Sequence, residues 1–100
     1  MIGGAGPYDD FARCLTAKGV KMYGSDTCSH CKAQKAAFKG SFGLATYIEC
    51  GRQPDLCQKA NITSYPTWDI NGKRKTGETS LSALAELSGC PLTKSPADLK

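Results

Sequence analysis

The stretch SDTCSHCK, residues 25–32, places Cys28 and Cys31 two residues apart with His30 against the second. Such a pair exchanges electrons, holds a metal or fills space, and the flanking residues discriminate among these. VKMYG, residues 20–24, alternates as a short strand, and Ser25 to Thr27 supply a turn and an N-cap candidate. Cys28 therefore opens a helix that runs through CSHCKAQKAAFKG, residues 28–40. Cys31 lies one turn in, the alanines and Phe38 provide packing, and Lys39 and Gly40 mark the stop. Half of a zinc site would need a second Cys-x-x-Cys or paired histidines, and the chain has 1 His. Redox chemistry is the preferred reading, with no metal and no cofactor.

Outward from this motif the chain alternates helix and strand signals. PYDDFARCLTAKG (7–19) begins with Pro7 and two acids, spaces Phe11, Cys14 and Leu15 at helical intervals and stops at Gly19. LATYIEC (44–50) reads as a strand and DLCQKAN (55–61) as a short helix. PTWDINGKRKTG (66–77) is a hairpin whose Asn71-Gly72 is a favoured two-residue turn. SLSALAELSG (80–89) closes the chain as a helix, with Leu81, Leu84 and Leu87 taken as one apolar stripe. The order αβαβαββα suits an α/β protein with a mixed four-stranded sheet and helices on both faces.

Composition bounds the rest. One hundred residues make a single domain, with its core over about residues 8–90. With 40% hydrophobic and 22% charged residues and no long apolar run, no direct membrane insertion is expected. The start, MIGGAGPYDD, lacks the basic and apolar regions of a secretory signal, so a signal, fusion partner or membrane portion upstream stays open. The net charge of +4 comes mostly from scattered lysines. The Lys73, Arg74, Lys75 cluster and the Lys32, Lys35, Lys39 series are read as solvated faces, since no nucleic-acid motif accompanies them. Six cysteines fit an oxidising compartment or a redox protein, and an even number permits complete pairing.

A free cysteine has a pKa of about 8.5, and the thiolate is what attacks a disulfide. At a helix N-terminus, unpaired N–H donors and the positive end of the dipole help Cys28, and His30 can add a charge or a donor. Stabilising the reduced thiolate makes the disulfide more oxidising. Cys31, shielded one turn in, suits the resolving role.

The combination of this Cys-x-x-Cys with a later YPT that starts a strand resembles the thioredoxin superfamily. KMYGSDTCSHCKAQKAAF, YIEC, YPTWDINGK and LAELSG are similar, in order, to the thioredoxin-like domain linked to bacterial and plant vitamin K epoxide reductase homologues. The resemblance implies a thiol–disulfide oxidoreductase acting on protein dithiols in the oxidising direction. A membrane quinone reductase of the vitamin K epoxide reductase type would recharge it. An extracytoplasmic location, on the periplasmic or thylakoid-lumen side, is expected, with the cytoplasm as the alternative, and the chain is expected to be a monomer. Pro66 would be cis, leaving the Tyr65 backbone to pair with extended substrate. Trp68 is read as a core aromatic with its N–H bonded.

Cys50 and Cys57 match a cysteine pair of that branch; as a disulfide they would contribute about 2.5 kcal/mol, and structural bridging is preferred over electron shuttling. Cys14 and Cys90 stay open as buried thiols, a third bridge or a tail contact. Many thioredoxins carry a buried acid where this chain has Met22; Asp26 is expected to be exposed, which weakens the case for a general reductase. The alternatives are a cytosolic thioredoxin-like reductase and a redox-inert binding module using the Tyr65-Pro66 edge.

Overall fold

The computed structural model describes residues 6–93; the MIGGA start and the last seven residues of the chain lie outside the described part. Among the described residues four helices and four strands follow in the expected order: α1 (Asp9–Ala17), β1 (Lys21–Gly24), α2 (Ser29–Ala37), β2 (Thr46–Glu49), α3 (Pro54–Lys59), β3 (Thr67–Ile70), β4 (Lys73–Thr76) and α4 (Leu81–Ser88). A 3-10 turn, Phe42–Leu44, which the sequence reading missed, leads into β2. The sheet order is β2-β1-β3-β4. β1 runs parallel to β2 and antiparallel to β3, and β4 completes a hairpin with β3. Asn71 (φ 53°) and Gly72 (φ 87°) both take positive φ at its turn, as a type I′ connection requires.

Strand alternation sends side chains to two cores. Met22, paired with Tyr47 on one side and Trp68 on the other, joins the larger cluster with Phe11, Leu15, Phe38, Ile70 and Leu84 from β3 and helices α1, α2 and α4. Tyr23, the next residue, points the other way, where Ile48, Cys50, Cys57 and Ile62 surround it beside α3. Helices therefore cover both faces of the sheet. The aromatic rings of Phe11, Phe38 and Trp68 stack in sequence through the larger core. Every residue of edge strand β4 is exposed, and three charged side chains in a row protect that edge from further pairing.

Two expectations about helix faces are corrected. The buried stripe of α2 is Cys31, Gln34 and then Phe38 at its C-cap, while Ala33, Ala36 and Ala37 sit outside the core. Leu87 is exposed on α4; six residues at about 100° each turn it far from Leu81, and the covered face is Leu84 and Ser88 instead.

Gln34 is the polar centre of the fold. Its amide Oε1 accepts from Trp68 Nε1 at 3.1 Å and from the Thr79 N–H at 2.7 Å, and its Nε2 donates to the Thr79 carbonyl at 2.9 Å. Residue 34 is 2% exposed, so no water competes for these bonds. Two disulfides complete the frame. Cys14 of α1 is bonded to Cys90 beyond α4, with Cα atoms 5.9 Å apart, and Cys50 is bonded to Cys57, Cα atoms 5.7 Å apart. The first closes most of the chain and, in the chain-entropy treatment, is worth about 4.5 kcal/mol. Gln34→Leu strands one buried donor on Trp68 and a donor and an acceptor on Thr79. At about 1–3 kcal/mol for each unsatisfied group, the variant should lose about 3 kcal/mol or more, checked by denaturant unfolding against wild type.

Candidate dithiol site

Cys28 and Cys31 meet where β1 ends and α2 begins. Cys28 is the N-cap residue, with extended backbone (φ −86°, ψ 123°), and its sulfur accepts the Cys31 N–H at 3.3 Å. A thiol thus occupies the position usually filled by a Ser, Thr or Asp oxygen. Among the described residues Cys28 and Cys31 are the free cysteines. Cys28 is half-buried and Cys31 fully buried.

Their acidities diverge for that reason. Burial alone pushes the Cys28 thiol up, but hydrogen bonds from the Cys31 thiol and from the Cys31 and His30 backbone N–H groups outweigh it. The net effect is downward, with the Glu78 carboxylate opposing. Cys31 is pushed up to about 11, chiefly by burial and then by the hydrogen bond and charge of Cys28, against a backbone bond from Ser25 and the charge of Lys35. The more acidic thiol stands at the surface, and one held protonated stands behind it.

Gly24 makes the close approach possible. A Cβ at that position would lie 2.8 Å from Cys31 Sγ and 3.3 Å from the Tyr47 ring, so a side chain there collides with the buried sulfur.

Tyr65-Pro66 is cis, and the Tyr65 carbonyl lies 3.8 Å from Cys28 Sγ. The Tyr65 side chain is exposed and Pro66 is buried. The Gly77 N–H bonds the Pro66 carbonyl at 2.7 Å, linking this loop to the segment that Gln34 holds through Thr79. Trp68 is fully buried with its N–H bonded to Gln34.

His30 lies differently from the expected direct contact. Its Nδ1 sits 2.6 Å from Glu78 Oε2 on an exposed flank, and what it offers Cys28 is its backbone N–H. Asp26, expected to be exposed, keeps its side chain 40% exposed but is tied into a bonded cluster. Its carboxylate accepts from Tyr47 Oη at 2.8 Å, Lys35 Nζ at 3.1 Å and Arg52 at 2.6 Å. The Tyr47 bond first, then the Lys35 bond and the two cations, hold it below the usual carboxylate range against partial burial. Lys35 likewise leaves the solvated series. Lys32 and Lys39 are exposed, whereas the Lys35 side chain is 28% exposed and stands 3.8 Å over the Tyr47 ring. Glu78, Gln34, Lys35 and Tyr47 escaped the sequence reading; a glutamine one turn after Cys31 on the cysteine face was the available signal.

Among the described residues no group of three or more His, Cys, Asp or Glu side chains is placed to hold a metal ion, and no helix is long and apolar enough to cross a membrane.

A mixed four-stranded sheet carrying a Cys-x-x-Cys at a helix N-terminus, against a cis-proline loop, defines a thioredoxin-like domain. The fold of the chain is thioredoxin-like. The chain is similar to thiol-disulfide oxidoreductase LTO1 of Arabidopsis thaliana, 39% identical over 92 residues; the match covers 81% of this chain and 24% of that protein, so the chain spans about a quarter of that relative's length. Among solved structures it resembles a Plasmodium falciparum thioredoxin (TM-score 0.51, 19% identity, 76% of this chain and 72% of that one). It also resembles the N-terminal domain of alkylhydroperoxide reductase AhpF from Enterococcus faecalis (TM-score 0.54, 18% identity, 81% and 42%). No sequence-family model matches the chain.

The His30–Glu78 contact on the flank gives a signed expectation. Glu78→Gln removes a carboxylate that raises the Cys28 thiol, so thiolate formation should move to lower pH. His30→Ala keeps the backbone N–H but strips Glu78 of its partner, so it should move to higher pH. Alkylation rate of Cys28 against pH reads both.

Proposed function

We propose that the chain is a protein thiol–disulfide oxidoreductase in which Cys28 is the nucleophile and Cys31 the resolving thiol. The observation that carries this reading is the asymmetry of the two sulfurs. One is accessible and acidified by helix N–H donors, and the other is buried, protonated and one turn behind it. In the oxidising direction a substrate thiolate attacks the Cys28–Cys31 disulfide at Cys28. The Cys28–substrate bond forms, the Cys28–Cys31 bond breaks and Cys31 leaves. A second substrate thiolate then displaces Cys28, so the substrate gains a disulfide and the protein a dithiol. The Tyr65 carbonyl, beside Cys28 Sγ, is a backbone acceptor for an extended substrate segment. His30 tunes Cys28 through its N–H and through Glu78.

Three considerations support the finer reading. The similarity to a plant thiol-disulfide oxidoreductase supports disulfide exchange with protein dithiols. The lowered Cys28 thiol favours the reduced state and hence an oxidising disulfide. The two further disulfides suit an oxidising, extracytoplasmic compartment. A vitamin K epoxide reductase-type quinone reductase as electron acceptor rests on the sequence resemblance. Cys50 and Cys57, each 6% exposed, act as a structural bridge, shielded from exchange in solution.

Trapping tests the assignment. Mixed with disulfide-bonded protein substrates, Cys31→Ser should accumulate mixed disulfides through Cys28, visible as adducts on non-reducing gels, with the second substrate sulfur leaving as a thiol, whereas Cys28→Ser should not. Equal adducts from both variants would sink it.

A further inference from the structure

Cys31 must become a thiolate to resolve a mixed disulfide, yet it lies in the core with little water to help. The charged and titratable groups around it come from three elements. Its own helix supplies Cys28 and Lys35, one turn to either side, and the loop before it supplies the Ser25 backbone bond and Asp26. β2 supplies Tyr47, whose ring flanks Gly24 together with Cys31 Sγ, and Glu49, which accepts the Asp26 N–H at 2.9 Å. Lys35 is a cation four residues after Cys31 on α2, on the same side of the helix, and its ammonium lies over the Tyr47 ring that flanks Gly24 together with Cys31 Sγ; its charge acts to lower the Cys31 thiol against the larger effect of burial.

Lys35 is held in place rather than left to solvent. Asp26 Oδ1 accepts both its ammonium, at 3.1 Å, and the Tyr47 hydroxyl, at 2.8 Å, while the ammonium lies 3.8 Å over the Tyr47 ring. Arg52 bonds the other oxygen of Asp26 at 2.6 Å. Arg52 belongs to the loop closed by Cys50–Cys57, and its own N–H is bonded by Glu49 at 2.7 Å, so the bridge and β2 together fix the guanidinium.

We propose that Lys35 is an electrostatic positioning residue for the Cys31 thiolate, one helical turn beyond it and held in place by Asp26, Tyr47 and, through Asp26, Arg52. The inference rests on the dithiol mechanism above. In the resolving step Cys31 loses its proton to solvent and its thiolate attacks Cys28. The Cys28–Cys31 bond forms, and the bond from Cys28 to its adduct breaks with the electron pair leaving on the adduct's sulfur. The Lys35 ammonium favours the charged intermediate and takes no proton. The tether keeps the ammonium from swinging to water, which a four-carbon side chain would otherwise do.

The test uses the full chain, mildly reduced so that two thiols titrate and both other bridges stay intact, mixed with an aromatic disulfide that releases a coloured thiolate. Release has two phases: attack by Cys28, then displacement by Cys31. Lys35→Met should leave the first phase unchanged and slow the second by up to about threefold at neutral pH. A threefold slowing is the ceiling set by loss of one full pKa unit, for which the thiolate fraction falls about tenfold and the reactivity per thiolate rises about threefold. The pH profile of the second phase should move upward. Lys35→Arg should restore the wild-type profile. Lys35→Gln, which still bonds Asp26 but carries no charge, should behave as Lys35→Met and stands in for it should the apolar variant not fold. Coincident profiles for wild type and the neutral variants, equal slowing of both phases, or failure of Lys35→Arg to restore the rate would overturn the role of Lys35. A wild-type protein lacking the second phase would overturn the dithiol mechanism itself.

Discussion

The backbone N–H of Cys31 donates to the sulfur of Cys28, and the site depends on that bond because it starts the helix and acidifies the thiol at once. An N-cap must sit outside the helix in extended conformation, which leaves Cys28 half-exposed. The residue three further on is inside the helix, facing the core. The different environments of the two sulfurs are therefore a consequence of helix geometry at a two-residue spacing, and no separate device is needed to distinguish them. Moving either cysteine by one position would place both on the surface or turn the second away from the sheet.

Holding that helix against the sheet falls to Gln34. A buried amide that bonds the Trp68 indole and both backbone groups of Thr79 ties α2, β3 and the segment after β4 to one point. The neighbour of Thr79 is Glu78, so the same amide fixes the carboxylate that faces His30 and opposes the acidification of Cys28. Gly77 bonds the Pro66 carbonyl and carries the constraint to the loop beside Cys28. A glutamine with all its near neighbours in the core thus acts on both stability and site geometry. Its replacement by an apolar residue would preserve the hydrophobic pattern and lose the arrangement.

The element order and sheet type were legible because each strand and helix carries its own punctuation: Gly19 before β1, Ser80 before α4, Asn71-Gly72 between β3 and β4. Cys28 and Cys31 were legible because their chemistry is local to four residues. Three features were not. The pairing of Cys14 with Cys90 joins opposite ends of the chain, and nothing local marks it. Leu87 and the α2 alanines were assigned by composition where the 3.6-residue turn decides. Lys35 and Asp26 looked like solvated charges because each is polar and followed by others. Their pairing depends on β2 bringing Tyr47 beside the loop, which only the parallel register Met22 with Tyr47 establishes.

The same placement bears on how a buried thiol can work without an acid at position 22. Met22 is fully buried within the larger core, and a carboxylate there would need a partner to offset its desolvation. The polar groups lie instead at the strand's exit. There Asp26 meets two cations and a phenol while keeping partial contact with water, so its charge is offset at modest cost. A carboxylate held below its usual range is a weak base, and a proton from Cys31 gains little by moving to it. What this cluster can offer the buried sulfur is a held cation: Lys35 stands one turn beyond Cys31 on the same helix, and its charge lowers that thiol against the larger effect of burial.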